Sequence, residues 1–272
     1  MTNLTIAIAQ IGVEEGRHEE NLHRVREIIV QYGPSHDLVM FPETCLSGFA
    51  NVEHVRSSAE PLDGPTASGL QTLVNRLRTS VVLGLAERDN SALYNASALI
   101  DPRGVVLTYR KTHVWNSDKG IFQAGSALRV APWRGLVVGL LICFDIEFPE
   151  PALGADLILL VNGNMEPFGL THARAVRARA QENQVFVAMV NRVGQGREHC
   201  FVGESIVVGP TGEPVAVLDG REAVVTVNIN MAEVQRSRMS CRYLDERRFI
   251  DQTPEAATYG GAREVQLRPI AG

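Results

Sequence analysis

Three residues of this chain follow apolar runs and carry groups that can perform nucleophilic catalysis. The run Leu136 to Ile142 ends at Cys143, and acidic residues and a proline come next. Glu43 and Lys111 follow two other short runs of the same kind. A thiol attacks as the thiolate, so it needs a base or a nearby cation, and a carboxylate and an ammonium at neighbouring strand ends supply both. The three residues together therefore predict a cysteine nucleophile.

Each of these residues also has a plain structural interpretation when it is taken alone. A free cysteine is most often a small buried apolar side chain. A lone glutamate after a strand is usually a surface cap, and a lone lysine is usually solvated. The functional interpretation therefore depends on the three groups converging, which requires that the strands carrying them be neighbours.

The apolar periodicity predicts an alternation of strands and helices that could bring those strand ends together. We predict strands at 4–10, 37–41, 81–86, 93–100, 105–109, 136–142, 156–161, 185–190, 204–208, 213–218 and 223–229, and helices at 19–32, 66–78 and about 168–182. Turn residues at 101–104 and 210–212 predict two hairpins. Phe148-Pro149-Glu150 suits the first turn of a further helix after Cys143. Helical crossovers plus hairpins imply mixed sheets with helices on their outer faces.

Composition narrows the class of protein. The chain has 272 residues, 45% of them hydrophobic, and no long Pro, Ser or Gly run, which predicts one domain over 1–272. A net charge of −5 without a basic block argues against nucleic acid or an anionic membrane as a partner. No signal peptide or membrane-spanning run is apparent, so we expect a cytoplasmic protein. The four cysteines are far apart, which disfavours zinc and disulfide sites.

The sequence segments around the three candidate residues resemble those of a known family. FPETCLSGF around Glu43, YRKTHVW around Lys111 and ICFDIEFPE around Cys143 resemble the signature blocks of the nitrilase superfamily, the carbon–nitrogen hydrolases. The resemblance extends in order from about residue 6 to 248. It implies a four-layer αββα sandwich with two mixed β-sheets, a homodimer or higher homo-oligomer joined through outer helices, and no metal or organic cofactor. The segment from about 231 is then expected to be an extension that packs on the domain or on a partner subunit.

The resemblance implies that Glu43, Lys111 and Cys143 form a catalytic triad. Cys143 would attack the carbonyl carbon of a small amide, with Glu43 as the general base and then the general acid. Lys111 and the backbone N–H of Phe144 would donate to the oxyanion. A Cys-His pair of the papain kind, using His113, is less favoured because the family assigns the base elsewhere.

Details of the sequence favour the amidase-type branch. Cys143-Phe144-Asp145 is similar to the amidase pattern, whereas true nitrilases resemble one another in Cys-Trp-Glu. Glu147 stands where many omega-amidase and deaminated-glutathione amidase relatives have Arg, which leaves simple aliphatic or R-selective amidases. An N-carbamoyl amine or amino-acid hydrolase and a nitrilase remain alternatives with the same triad. A binding protein on the same scaffold is a more remote one.

Several further residues are candidates for the substrate site. We predict that Trp115, Phe144, Met165 and Phe168 line an apolar acyl pocket, although each could equally be ordinary core. The helix at about 168–182 carries Arg174, Arg177 and Arg179, which we interpret as a solvated face plus one buried ion pair rather than a clamp for a substrate carboxylate.

Asp118 marks a departure from the family pattern. Many members carry a second glutamate in a segment of the form ExxxFxPG, and here the segment is DKGIFQAG, with Asp118 at the glutamate position. An aspartate is one methylene shorter, so it reaches the triad only if the loop comes closer or a water bridges the gap. The alternative is a solvated turn residue. We predict that Asp118 is part of the catalytic site.

Overall fold

The computed structural model describes residues 3–49, 51–149, 154–250, 258–259, 262–263 and 267–269. The strands are β1 (Asn3–Gln10), β2 (Leu38–Met40), β3 (Ser80–Asp89), β4 (Ala92–Asp101), β5 (Gly104–Arg110), β6 (Val130–Trp133), β7 (Leu136–Ile142), β8 (Leu157–Asn162), β9 (Phe186–Asn191), β10 (Val193–Gln195), β11 (Cys200–Val202), β12 (Ile206–Val208), β13 (Pro214–Val217), β14 (Ala223–Asn230), β15 (Arg248–Ile250), β16 (Thr258–Tyr259), β17 (Ala262–Arg263) and β18 (Leu267–Pro269). The α-helices are α1 (His18–Tyr32), α2 (Val52–Ser58), α3 (Pro65–Leu77), α4 (Gly169–Asn183), α5 (Ala232–Arg238) and α6 (Tyr243–Glu246).

Two six-stranded mixed sheets form the centre of the protein. The first sheet has the order β14-β1-β2-β3-β4-β5 and the second has the order β13-β12-β9-β8-β7-β6. In each sheet three neighbouring strands are parallel, β1 to β3 in the first and β7 to β9 in the second, and the outer strands are antiparallel. The loops after these parallel strands therefore leave from one edge of each sheet.

The strand faces explain how the layers pack. Alternate residues of β1 point to opposite sides: Ile6 and Ile8 lie in the core between the sheets, and Ala7 and Ala9 face α1 and α3. Helix α1 supplies an apolar stripe at helical spacing, including Leu22, and α4 covers the second sheet through Val176. The result is the predicted four-layer αββα sandwich with two mixed sheets.

Most predicted elements are present within one or two residues, including both hairpins, β4–β5 and β12–β13. The helix predicted to begin at Phe148-Pro149-Glu150 falls on residues 150–153, which lie outside the described residues. Before it, a short 3₁₀ helix that the sequence did not predict spans Cys143–Glu147, and Phe148 is extended, with φ −97° and ψ 145°. The sequence did not predict α2, β6 or the small β10–β11 pair, which are short and lack a clear period.

The segment after β14 packs on the second sheet and on α4. Val234 of α5 is buried in the core, and Arg238 donates to Asp156 at 2.9 Å. The backbone N–H of Tyr243 donates a hydrogen bond to Gln184 Oε1 at 2.9 Å. The predicted extension thus contacts the sandwich at least as far as α6, and most of its remainder lies outside the described residues. Within the described ranges, no helix is both long and apolar enough to cross a membrane.

Candidate active site

The loops that follow the parallel strands of the two sheets meet at one end of the sandwich. Glu43 follows β2 of the first sheet, and its backbone N–H donates to the carbonyl of Asn162, the last residue of β8 in the second sheet, at 3.3 Å. Lys111 directly follows β5, and Cys143 directly follows β7. The three predicted residues are therefore brought together from separate strands.

A buried ion cluster lies at this junction. The Lys111 Nζ atom donates to Glu43 Oε1 and to Asp118 Oδ2, each at 2.8 Å, and the three side chains are at most 1% exposed. Burial alone would lower the pKa of Lys111, but the two carboxylates outweigh it and raise that pKa well above its ordinary value. Lys111 is therefore a permanent cation held between two carboxylates.

The Glu43 carboxylate is anchored through one oxygen and free at the other. Oε1 also accepts from Asn95 Nδ2 at 2.7 Å. Oε2 is buried and has no hydrogen-bond partner among the described residues. This oxygen faces Gly163 so closely that a Cβ added there would lie 2.6 Å from it. The backbone N–H of Gly163 also acts to lower the pKa of the Cys143 thiol, so Gly163 lies close to both the Glu43 oxygen and the thiol.

Cys143 lies at a bend where the chain leaves β7. Its φ of 48° is in the left-handed region, which a residue with a Cβ adopts only under constraint. Asp145 supplies that constraint: its buried carboxylate accepts from the N–H of Ile142 at 3.2 Å and from the N–H of His113 at 2.9 Å. At this bend Cys143 is buried at the end of the core and lines a cavity.

The resting thiol is kept protonated by its surroundings. Burial raises the pKa of Cys143 well above its ordinary value, and the Glu43 carboxylate adds to this effect. Lys111 and the N–H of Gly163 act in the opposite direction but are weaker. Attack by this thiol therefore requires that its proton be removed as the new bond forms, which gives the free oxygen of Glu43 a defined task.

Asp118 reaches the cluster by close approach of its loop. It ends a 3₁₀ helix over Asn116–Asp118, is 1% exposed, and bonds Lys111 directly. Its backbone carbonyl accepts from the N–H of Phe122 at 2.9 Å, which closes the loop on itself. Asp118 is therefore a buried partner of Lys111 and not a solvated turn residue.

A cavity of about 120 Å³ opens above the thiol. All four residues predicted for the acyl pocket line it together with Cys143, namely Trp115, Phe144, Met165 and Phe168. Glu147, which differs in type from some relatives but was not predicted to line the pocket, also lines the cavity. The sequence did not single out the other lining residues, which are Phe49, Asn164, Thr171 and His172. Phe49 lies inside the FPETCLSGF block, which was the available signal. His172 and Thr171 come from α4, and their position depends on how that helix packs.

Comparison with known proteins agrees with this geometry. Residues 5–239 match the family described as carbon-nitrogen hydrolase. The chain belongs to the carbon–nitrogen hydrolase family. It is 38% identical over 270 residues to an (R)-stereoselective amidase from Pseudomonas sp., an alignment that covers 97% of this chain and 98% of that one.

Solved structures share the fold of this carbon–nitrogen hydrolase. A CN-hydrolase superfamily protein from Xanthomonas campestris, with an arsenic adduct in its active site, is 28% identical and superposes with a TM-score of 0.82 over 88% of this chain and 95% of its own. An amidase from Nesterenkonia sp. AN1, with a covalently added acetamide moiety at its active-site cysteine, is 23% identical, with a TM-score of 0.75 over 87% and 94%. The second match is evidence of the fold alone.

His113 does not serve the thiol of this hydrolase. Its Nδ1 atom lies 2.8 Å from Asp145, and its ring stacks on Phe148 with a centroid distance of 3.7 Å. His113 is absent from the lining of the cavity. This arrangement gives His113 a structural part in holding the bend that carries Cys143.

The arginines of α4 also lie outside the cavity lining. Arg174 and Arg177 are exposed, and Arg177 contacts the turn of the β12–β13 hairpin. Arg179 is 12% exposed, pairs with Glu182 at 2.8 Å and donates to the carbonyls of residues 146 to 148. The expected solvated face is seen at Arg174 and Arg177, but the pair of Arg179 with Glu182 is only partly buried, and Arg179 supports the 3₁₀ turn of Cys143.

Proposed function

We propose that this carbon–nitrogen hydrolase is an amidase that converts a small carboxamide to the carboxylic acid and ammonia through a thioester on Cys143. The observation that carries the proposal is the buried cluster of Lys111, Glu43 and Asp118 near the thiol of Cys143, which itself lines a largely apolar cavity. The relative with 38% identity is an (R)-stereoselective amidase, which supports this substrate class and makes both enantiomers of a chiral amide worth testing.

The first half of the reaction forms the thioester. The Cys143 sulfur bonds to the amide carbon while its proton passes to the free oxygen of Glu43. The carbonyl π electrons move to oxygen, where the Lys111 ammonium and the N–H of Phe144 are proposed to donate. Glu43 then returns the proton to the amide nitrogen, the C–N bond breaks, and ammonia leaves.

The second half releases the acid. A water molecule enters the place that ammonia has left, Glu43 takes one of its protons, and the hydroxyl oxygen bonds to the thioester carbon. The tetrahedral intermediate collapses, the C–S bond breaks, and the proton returns from Glu43 to sulfur. Asp118 is proposed to keep the Lys111 ammonium aimed at the oxyanion in both halves, since Asp118 and Glu43 each accept one of its three hydrogens and leave the third for the oxyanion.

A panel of substrates tests the proposal. The purified protein is incubated with primary amides, nitriles and N-carbamoyl amines, and ammonia, carbon dioxide and acid are measured. We expect ammonia and acid from amides and a mass increase on Cys143 equal to the acyl group when the reaction is quenched. Carbon dioxide from a carbamoyl compound would identify an N-carbamoyl hydrolase, turnover of nitriles alone would identify a nitrilase, and no turnover of any class would indicate a binding protein.

The assembly and location of the protein are part of the same proposal. We propose a single catalytic unit that forms a homodimer through its outer helices and acts in the cytoplasm. Apolar side chains on that outer surface support the dimer, since Leu170, Met239 and Tyr243 are 63%, 83% and 47% exposed. All four cysteines are free, which fits a reducing compartment. Light scattering at micromolar concentration measures the mass of the assembly. A monomeric mass would contradict the proposed homodimer.

A further inference from the structure

One lining residue of the cavity has no part in the proposed reaction. Glu147 closes the 3₁₀ turn that begins at Cys143, and its side chain is 32% exposed. The nearby apolar residues Phe144, Met165 and Phe168 line the same cavity. A carboxylate in such surroundings is costly unless a partner holds it or a ligand uses it.

A buried histidine holds this carboxylate from behind. The His172 Nε2 atom lies 3.1 Å from Glu147 Oε1, and its Nδ1 atom lies 3.1 Å from Asn162 Oδ1. The His172 side chain is only 4% exposed. Among the described residues it is the one hydrogen-bond partner of the carboxylate, so the second oxygen of Glu147 is left for a ligand.

The Asn164 side chain, another polar group of the cavity wall, is already hydrogen-bonded. Asn164 donates from its amide to the carbonyl of Phe168 at 3.0 Å and accepts from the N–H of Met165 at 3.0 Å. Within the part of the chain that the structure describes, no lysine or arginine lines the cavity. Arg179, which lies behind the turn, donates to main-chain carbonyls and to Glu182.

The net charge of the whole site is negative. The catalytic cluster of Glu43, Asp118 and Lys111 sums to −1, from two carboxylates and one ammonium. Glu147 adds a further −1. Even with His172 protonated, the pair sums to zero and the site to −1. A substrate that carries an anion on its acyl chain is disfavoured here, and one that carries a cation is favoured.

We propose that Glu147 selects amides whose acyl group bears a protonated amine, with the ammonium bound to the free carboxylate oxygen and the amide carbon at Cys143. The inference rests on the proposed function, because it names the substrate class of that same site. The apolar walls contact the carbon chain between the two ends, and the carboxylate recognises the ammonium through a charge-assisted hydrogen bond.

Matched substrates test the proposal. Each amide with a terminal ammonium is compared with the amide in which a methyl group replaces it: glycinamide with propanamide, 3-aminopropanamide with butanamide, 4-aminobutanamide with pentanamide, and 5-aminopentanamide with hexanamide. Succinamate serves as the anionic counterpart. We expect kcat/KM for at least one amino amide to exceed that of its methyl partner by ~10-fold or more, a difference of about 1.4 kcal/mol. Succinamate should be the poorest.

Variants separate recognition from structure. Glu147→Gln keeps the size of the side chain and a contact to His172, and we expect it to lower kcat/KM for the preferred amino amide by ~10-fold or more, mainly through KM, and to lower kcat/KM for the methyl partner much less. Glu166→Gln, an exposed acid that does not line the cavity, controls for a general loss of negative charge. It should change neither substrate.

Two outcomes would overturn the inference while the proposed function stands. One is equal or better turnover of every methyl amide by the wild type. The other is an equal loss on both members of a pair in Glu147→Gln, which would make Glu147 a structural partner of His172. If no amide is turned over, the proposed function fails, and calorimetry of Cys143→Ala with 4-aminobutanamide and pentanamide decides the inference, because tighter binding of the amine must then disappear in Cys143→Ala/Glu147→Gln.

Discussion

Two turns of this protein place a buried cysteine at the edge of a sheet, one in each sheet, and only one of the two thiols faces the cavity. Cys45 lies in the turn after β2 and is 1% exposed, and Cys143 lies in the turn after β7 and is 6% exposed. Both turns contain a non-glycine residue in the left-handed region, Thr44 with φ 45° and Cys143 with φ 48°.

The pKa of the thiol does not distinguish the two residues. Burial raises the pKa of Cys45 to about 12, and burial together with Glu43 raises the pKa of Cys143 well above its ordinary value. The difference lies in the neighbours. The Cys45 thiol donates to the carbonyl of Gly84 at 3.4 Å, whereas Cys143 lines the cavity beside the unpaired oxygen of Glu43. Cys143 therefore differs from Cys45 in lining the cavity and in having a carboxylate base nearby. A low pKa of the resting thiol is not what distinguishes it.

The largest expected effect comes from exchanging each cysteine for alanine. Cys143→Ala removes the atom that bonds to the substrate, so we expect ammonia release to fall by roughly 10³-fold or more with the fold intact. Cys45→Ala should retain activity within about 3-fold and lose roughly 1 kcal/mol of the free energy of unfolding through lost packing. Ammonia assays and urea unfolding measure both. Near wild-type turnover by Cys143→Ala would show that Cys143 is not the nucleophile.

Lys111→Met tests whether the turn that carries Cys143 needs the Lys111 cation for catalysis. Methionine keeps the apolar stem but removes the donor, and we expect kcat to fall by ~10²–10³-fold with a smaller change in KM. The variant also leaves Glu43 and Asp118 buried without a counter-ion, which should cost about 3–5 kcal/mol of stability. Kinetics are therefore measured at a temperature where circular dichroism shows a folded protein. A change in KM alone would make Lys111 a binding residue.

Asp118 offers a smaller test of the same cluster. Asp118→Asn keeps the shape but removes one of the two charges on Lys111, and we expect kcat/KM to fall by ~10-fold. Asp118→Glu adds a methylene where the side chain is already 1% exposed and in direct contact, so it should also fall below wild type. Asp63→Asn, an exposed acid, is the control. If Asp118→Asn matches the wild type in steady-state kinetics, the site works without this carboxylate.

The smallest effect is a loss of stability at alkaline pH. A thiol with an ordinary pKa of 9.0 ionises in the unfolded chain above pH 9, while the raised pKa of Cys45 and Cys143 keeps both protonated in the folded protein. Their contribution is fully present below pH 9 and is lost as pH rises towards the folded values, by ~1.4 kcal/mol per pH unit for each thiol. Urea unfolding between pH 8 and pH 10 should show a shallower decline in Cys143→Ala and in Cys45→Ala. An unchanged slope in Cys143→Ala would mean that its thiol ionises alike in both states.

Much of the fold and the site followed from local patterns. Buried parallel strands give continuous apolar runs, and hairpins need Pro and Gly at set positions, so β7, β8 and both hairpins were predictable. The three signature blocks lie at the ends of strands. For this reason the sequence predicted that Glu43, Lys111 and Cys143 would lie close together. The 3₁₀ helix that begins at Cys143 was not predicted, because it depends on the Asp145 carboxylate accepting the N–H of Ile142.

Sequence by itself determined the strands, the order of the three signature blocks and the apolar character of several residues that line the cavity, because each depends on residues close together in the chain. Only the tertiary structure decided that Asp118 bonds Lys111 directly, that one oxygen of Glu43 has no hydrogen-bond partner among the described residues, and that His172 of α4 supports Glu147 across 25 positions of the chain. Distances of this kind depend on how two sheets and a helix pack, and packing is the sum of many weak contacts between residues far apart in sequence, which no local pattern contains.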